Sequence, residues 1–99
     1  MIDLARITSF EWDEANARKN EKHGVSMAEA EQVFFNSPLL LLEDIKHSIS
    51  ELRFHALGKT DNVRLLHITL TLRQNNQKIR VISARNMHRK ERTIYEKAT

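Results

Sequence analysis

The feature that most constrains the fold is a run of four strand-like segments joined by connections too short to hold a helix. The segments are Leu39–Ile45, Glu51–Lys59, Arg64–Leu72 and Lys78–Ser83. The second and third alternate between two sets of side chains, which is typical of strands with one buried face. A parallel pair needs a crossover of a dozen or more residues, so this succession predicts an antiparallel four-stranded sheet.

Helix signals lie only before and after these segments. Asp13 is a candidate N-cap for a first helix that ends at Lys22-His23-Gly24, and Ser26 with Glu29 forms the capping-box pattern of a second. A third helix is predicted to begin near Asn86. The order ααββββα indicates an α+β fold with its helices packed on one face of the sheet. Phe10 and Trp12 are expected in the core.

Length and composition exclude several classes of protein. The chain has 99 residues and no cysteine, which indicates one domain over residues 1–99 and excludes a disulfide framework, a thiolate zinc site and a cysteine nucleophile. No apolar run reaches the ~18 residues that span a bilayer, and the first residues lack the apolar stretch of a signal peptide. We therefore expect a cytoplasmic protein without a membrane partner.

Charge is distributed unevenly along the chain. Residues 1–51 carry ten acidic and five basic side chains, whereas residues 73–99 carry eight basic and two acidic ones, within a net charge of +3. A basic C-terminal third favours an anionic partner, and RNA, DNA or an acidic protein all fit this pattern. An ordinary solvated surface fits it as well.

The polar side of the predicted sheet offers groups suited to a phosphodiester. Guanidinium and ammonium groups bind phosphate oxygens, and the candidates are Arg53, Lys59, Arg80 and Arg85. RNA carries its own nucleophile, the 2′-hydroxyl, so its cleavage requires charge stabilisation and proton transfer but no metal or cofactor. His55 and Glu51 are candidates for proton transfer, with His67 and His88 behind them. The histidine spacing matches no metal motif. Each histidine also has an ordinary structural explanation.

Two residues of the last helix allow two interpretations each. Glu91 lies on the apolar stripe, where an unpaired carboxylate is costly, so Arg85 or Arg80 is expected to pair with it. That pair either docks the helix or orients an arginine for substrate. Tyr95 is either a core aromatic or an active-site hydroxyl.

Five motifs, taken together, resemble those of the BrnT toxin family. They are Phe10-Glu-Trp-Asp13, Lys22-His-Gly-Val25 followed by Ser26, Arg53-Phe-His-Ala-Leu-Gly58, Ile82-Ser-Ala-Arg85 and Glu91-Arg-x-x-Tyr-Glu96. The resemblance extends from Phe10 to Glu96. It implies the toxin of a type II toxin–antitoxin pair with a RelE-like fold, which cuts RNA without a metal and thereby inhibits translation.

The resemblance also implies partners and site residues. The partner is a BrnA-type ribbon-helix-helix antitoxin that forms a heterotetramer with the toxin on promoter DNA, and the ribosome is a further possible partner. On matching positions, Arg53, Lys59, Arg80 and Arg85 would bind phosphate, while Glu51, His55 and Tyr95 would transfer protons.

Three questions stay open from the sequence. One is whether the chain is instead a non-catalytic module that binds nucleic acid or antitoxin, and another is whether it is a toxin that has lost its activity. The third is whether the antitoxin covers the basic face or the acidic helices.

Overall fold

In the described part of the chain, a five-stranded sheet is flanked by three α-helices. The computed structural model describes residues 4–48 and 51–98. The strands are β1 (Ser9–Trp12), β2 (Leu40–Glu43), β3 (Arg53–Lys59), β4 (Leu65–Arg73) and β5 (Lys78–Asn86). The helices are α1 (Glu14–Lys22), α2 (Met27–Gln32) and α3 (Arg89–Lys97). Among these residues, no helix is both long and apolar enough to cross a membrane.

The strand order confirms the α+β class and corrects the predicted sheet. The order is β1-β5-β4-β3-β2, with β2 to β5 antiparallel and β1 parallel to β5. The expected RelE-like arrangement with four antiparallel strands therefore differs from the structure in detail, because a fifth strand makes the sheet mixed. Strand β1 pairs Ser9 with Lys78 and Trp12 with Val81.

The capping signals begin the first two helices, and end the first, as predicted. The Asp13 side chain accepts hydrogen bonds from the backbone N–H groups of Ala15 and Asn16. Ser26 and Glu29 form a complete capping box at the start of α2. Gly24 follows α1 with a φ of +73°, a left-handed conformation that glycine adopts without a steric cost.

The larger core lies between the sheet and the first two helices. It contains Phe54 and Ala56 of β3, alternate apolar residues of β4 and β5, and Ala30 and Val33 from the α2 region. Phe10 and Trp12 pack against this core while remaining half-buried. Buried Asn20 ties α1 to β5, because its Oδ1 accepts a hydrogen bond from the backbone N–H of Ala84 (2.9 Å).

Helix α3 lies on the opposite face of the sheet, so the prediction of helices on one face only is wrong. Its Tyr95 is 4% exposed and packs with Met87 and Leu57, next to Leu40 and Leu65. Leu57 belongs to the same β3 face as His55, away from Phe54 and Ala56. Leu57 of β3 and Leu65 of β4, on an otherwise polar face, thus form a second, smaller core against which α3 packs.

Helix α3 also begins later than predicted. Strand β5 continues to Asn86, and the helix starts at Arg89 rather than near Asn86. Met87 just before the helix and Tyr95 within it are buried, whereas Ile94 is 47% exposed.

Candidate functional site

We call the polar side of β3, β4 and β5 the open face. Helix α3 covers one end of it. Strand register aligns its side chains in three rows across these strands. The rows are Arg53 with Thr71 and Arg80, His55 with Thr69 and Ser83, and Leu57 with His67 and Arg85.

A register shift in β5 brings two predicted phosphate-binding residues to this face. Arg80 and Arg85 are five residues apart, an odd spacing that would place them on opposite faces of a regular strand. The pairing between β4 and β5 slips by one residue between Thr69 and Leu70. Arg80 is therefore opposite Thr71 and Arg85 is opposite His67, on one side of the sheet.

His55 lies at the centre of the open face and contacts polar groups through both ring nitrogens. Its Nε2 is 3.0 Å from Oδ2 of Asp44, and its Nδ1 is 3.2 Å from Oγ1 of Thr69. The side chain is 31% exposed, so the imidazole is fixed on the protein side and still reachable from solvent.

The ring of His67 packs at a tilt against that of His55 and is deeply buried. The two ring centroids are 4.7 Å apart, and the His67 side chain is only 10% exposed. Burial and, after it, the nearby positive charge of Arg85 lower the pKa of His67 to about 4, against the opposing effect of Glu91. His67 is therefore neutral at physiological pH.

Glu91 binds Arg85 through both carboxylate oxygens. Arg85 Nη1 donates to Oε1 and Nη2 donates to Oε2, each at 2.8 Å. The backbone N–H of His88 also donates to Oε1. The hydrogen bonds from Arg85 lower the pKa of Glu91 to about 2; burial opposes this shift and the His88 N–H reinforces it. The expected partner of Glu91 is thus Arg85, not Arg80.

Arg80 and Arg53 flank Thr71 in the next row. Neighbouring strands are about 4.8 Å apart, which places the two arginine backbones about 10 Å from each other. Arg80 reaches Asp13 (3.3 Å) and Glu11 (3.7 Å), two carboxylates next to the start of α1. Arg53 is half-buried, and its Nε has no hydrogen-bond partner among the described residues.

The other three predicted site residues lie away from this centre. Glu51 pairs with Arg73 at 3.5 Å, at the opposite end of the sheet from α3. Lys59 is the last residue of β3, opposite Leu65. The hydroxyl of Tyr95 donates to the carbonyl oxygen of Pro38 (2.7 Å), and burial raises its pKa.

Sequence reasoning missed Asp44, which contacts His55 directly. It lies just after β2, and no motif marks it in the sequence. Its place beside His55 follows from the antiparallel pairing of β2 with β3, in which Leu42 is opposite His55. A carboxylate at the end of the strand preceding a candidate histidine strand is the only signal available from sequence.

A metal site was not expected from the sequence. Within residues 4–48 and 51–98, no three histidine, aspartate or glutamate side chains are grouped so that they could hold a metal ion.

Comparisons with known proteins assign the family. The model of the family described as ribonuclease toxin, BrnT, of type II toxin–antitoxin systems matches residues 12–91. The chain therefore belongs to the BrnT family of ribonuclease toxins. A toxin of this type implies an RNA substrate and an antitoxin partner.

A solved structure agrees with this assignment at the level of the fold. The chain is similar to the crystal structure of the Brucella abortus ribonuclease toxin BrnT, with a TM-score of 0.60 and 19% sequence identity. The similarity covers 83% of this chain and 99% of that one. No curated protein sequence matches the chain.

Proposed function

We propose that this protein is a metal-independent RNA endonuclease whose active site is the open face, centred on His55. The observation that carries the proposal is the position of His55, a partly exposed imidazole in the row between Arg53 and Arg80 on one side and Arg85 on the other. This arrangement combines a proton acceptor with cations on both sides. Cleavage of a phosphodiester requires both, for proton transfer and for stabilisation of negative charge.

The chemistry uses the nucleophile that RNA supplies. His55 removes the proton of a 2′-hydroxyl, and the 2′-oxygen attacks the adjacent phosphorus. The bond from phosphorus to the 5′-oxygen breaks, that oxygen takes up a proton from solvent water, and His55 returns its proton to solvent. The products are a 2′,3′-cyclic phosphate and a 5′-hydroxyl end. Imidazole suits the first step because its neutral form has one unprotonated ring nitrogen that can accept the proton.

Arginines stabilise the negative charge that builds up on the phosphoryl oxygens. Arg85 is oriented in advance by its two hydrogen bonds to Glu91, so little reorganisation is needed when the substrate binds. Arg53 and Arg80 bind the same or a neighbouring phosphate, and Lys59 adds positive charge at the end of β3. Each well-placed donor is worth about 3 kcal/mol of the barrier.

His55 is favoured over the other two candidates for proton transfer. Glu51 is paired with Arg73 at one end of the sheet, and the Tyr95 hydroxyl is occupied by Pro38 inside the second core. We assign Tyr95 a structural role for this reason.

We also propose the biological setting that the family suggests. The chain acts as a single cytoplasmic domain that inhibits translation by cutting RNA, on the ribosome or free of it. A BrnA-type ribbon-helix-helix antitoxin neutralises it within a heterotetramer that binds promoter DNA. We expect an acidic surface of the antitoxin to bind the open face. The antitoxin would then neutralise the toxin by blocking the access of RNA to this face. Co-expression of the chain with its antitoxin, followed by measurement of the mass of the complex, tests the heterotetramer. Loss of antitoxin binding by Arg80→Ala tests the position of the antitoxin on the open face.

The test of the enzymatic proposal is cleavage of RNA by the purified chain in excess EDTA, with the product ends identified. Cyclic-phosphate and 5′-hydroxyl ends are expected. If free RNA is not cut, translating ribosomes are added to the same assay. Binding of RNA without cleavage under both conditions would contradict the proposal and identify a non-catalytic module.

A further inference from the structure

We propose that Asp44 is a positioning residue that sets the tautomer of His55, so that Nδ1 is the nitrogen that accepts the 2′-hydroxyl proton. The inference rests on the proposed function and adds two features to it: which nitrogen acts as the base, and which side chain outside the sheet determines this. Neither feature is visible in the sequence motifs.

The contact with Asp44 decides where the proton of neutral His55 resides. A carboxylate accepts hydrogen bonds and cannot donate them, so Nε2, at 3.0 Å from Oδ2, must carry the proton. Burial raises the pKa of Asp44, but hydrogen bonds and charge from His47, with the charge of His55, keep it below its usual value. Nδ1 is then unprotonated and accepts from the hydroxyl of Thr69 (3.2 Å).

Asp44 is itself held in place on several sides. Its side chain is 9% exposed, and its backbone N–H donates to the carbonyl oxygen of Arg53 (2.7 Å). Oδ1 accepts from the backbone N–H of His47 (3.3 Å), while the His47 imidazole Nδ1 is 2.9 Å from Oδ2. The carboxylate is therefore a fixed reference for the orientation of the imidazole.

Nδ1 of His55 faces the part of the open face where a substrate would bind. Thr69 is its partner in the same cross-strand row, and Ser83 follows on β5. A substrate 2′-hydroxyl that replaces the Thr69 hydroxyl at Nδ1 would have Arg85 in the next row on one side and Arg80 in the next row on the other. The titratable groups around His55 are Asp44, His47 and His67, with Arg85 and Glu91 behind His67.

The decisive variant is Asp44→Asn, which keeps the shape of the side chain and changes the hydrogen bond. Because the His47 backbone N–H donates to Oδ1, the amide oxygen is expected to stay there and the amide nitrogen to replace Oδ2. That nitrogen donates to Nε2 of His55, so the ring proton must move to Nδ1. In the serine-protease triad, the same replacement costs about 10⁴-fold in rate through the wrong tautomer.

Two readouts are measured on the wild type, Asp44→Asn and the control Glu43→Gln, which makes the same carboxylate-to-amide change at the exposed neighbouring residue. The first is the tautomer of His55 from nitrogen-15 chemical shifts at pH 8. The second is the single-turnover rate of RNA cleavage. We expect Nε2–H in the wild type and the control, Nδ1–H in Asp44→Asn, and cleavage by that variant reduced about 100-fold or more.

Several results would overturn the inference. If the wild type carries the His55 proton on Nδ1, this result alone contradicts the inference. The test therefore does not depend on whether Asp44→Asn folds. An Asp44→Asn chain with an unchanged tautomer, or one that switches tautomer and still cleaves normally, contradicts the role of Asp44 and leaves the proposed function intact. A wild type that cuts no RNA, even with translating ribosomes, overturns both proposals.

Discussion

Glu91 shows how one side chain can serve both the fold and the site. Its carboxylate accepts the backbone N–H of His88 at the start of α3 and holds the guanidinium of Arg85 at the same time. The sequence indicated that Glu91 needs a cationic partner but left Arg80 and Arg85 as alternatives. The choice depends on the register shift in β5, because that shift determines which arginine is opposite His67 and next to α3.

Replacing Glu91 with glutamine is expected to lower stability in a pH-dependent manner. At pH 7 the loss should be about 2 kcal/mol, because charge-assisted hydrogen bonds are removed. The pKa of Glu91 is about 2 in the folded chain, and the ordinary value of 4.5 applies to the unfolded chain. The contribution of Glu91 to the free energy of unfolding is therefore fully present above pH 4.5. That contribution is lost as the pH falls toward 2.

Urea unfolding of the wild type and Glu91→Gln from pH 7 to pH 2 checks this expectation, with exposed Glu21→Gln on α1 as the control. The difference in free energy of unfolding between wild type and Glu91→Gln should disappear in acid. Glu21→Gln should have the same free energy of unfolding as the wild type at every pH. A gap of constant size at every pH would contradict the assigned ion pair.

At the level of elements, local signals predicted most of the chain, and long-range pairing determined the rest. Alternation located β3 and β4 to within two residues, and the caps located α1 and α2. Strand β1 has only four residues, and its partner β5 lies more than sixty residues further along the chain, so no local pattern marks it. The alternation of β3 and β4 also places Leu57 and Leu65 on the polar side of the sheet. Only the structure shows that these two leucines receive α3.

Tyr95 provides a test of the way α3 docks. Tyr95→Phe keeps the ring between Met87 and Leu57 and removes only the hydrogen bond to Pro38. We expect a loss of about 1 kcal/mol of stability, typical of one hydrogen bond, with an unchanged rate of RNA cleavage. Thermal unfolding and single-turnover cleavage measure the two effects.

The opposite pattern would reassign this residue. A Tyr95→Phe chain of normal stability that fails to cleave RNA would place the hydroxyl in the active site. Tyr95→Ala removes the ring and the hydroxyl together, and its larger loss is expected to be about 3–5 kcal/mol. The difference between Tyr95→Ala and Tyr95→Phe then reports the packing of the ring in the second core.

Across the whole molecule, the sheet separates two surfaces of different character. The larger core and the first two helices lie on one side, and the open face lies on the other, where Arg80 contacts Asp13 and Arg85 contacts Glu91. The basic residues of the C-terminal third, which give the sequence its charge asymmetry, belong largely to β5 and α3. The sequence predicted the asymmetry and its anionic partner. It did not predict that α3 covers one end of the same face, because that contact joins distant parts of the chain.

Binding of RNA to this face should depend on salt in proportion to the phosphates engaged. Single strands lose about 0.7 in the logarithm of affinity per phosphate for each tenfold rise in salt. If Arg53, Arg80 and Arg85 each engage a phosphate, the slope is about −2. Fluorescence anisotropy with a 2′-O-methyl oligonucleotide, which cannot supply the nucleophile, measures it.

Arg80→Gln should weaken this binding and make the slope shallower by about 0.7. Arg18→Gln, which alters an arginine paired with Glu14 on α1, is the matched control and should leave the slope unchanged. Equal slopes for wild type and Arg80→Gln would exclude Arg80 from the RNA-binding surface.

The central claim is that His55 on the open face carries the cleavage of RNA. The most direct measurement is the single-turnover rate of RNA cleavage in excess EDTA for His55→Ala, beside His23→Ala, which removes an exposed histidine at the end of α1. We predict a loss of about 100-fold or more for His55→Ala and a rate near that of wild type for His23→Ala. A folded His55→Ala chain that cleaves RNA as fast as the wild type would contradict the claim.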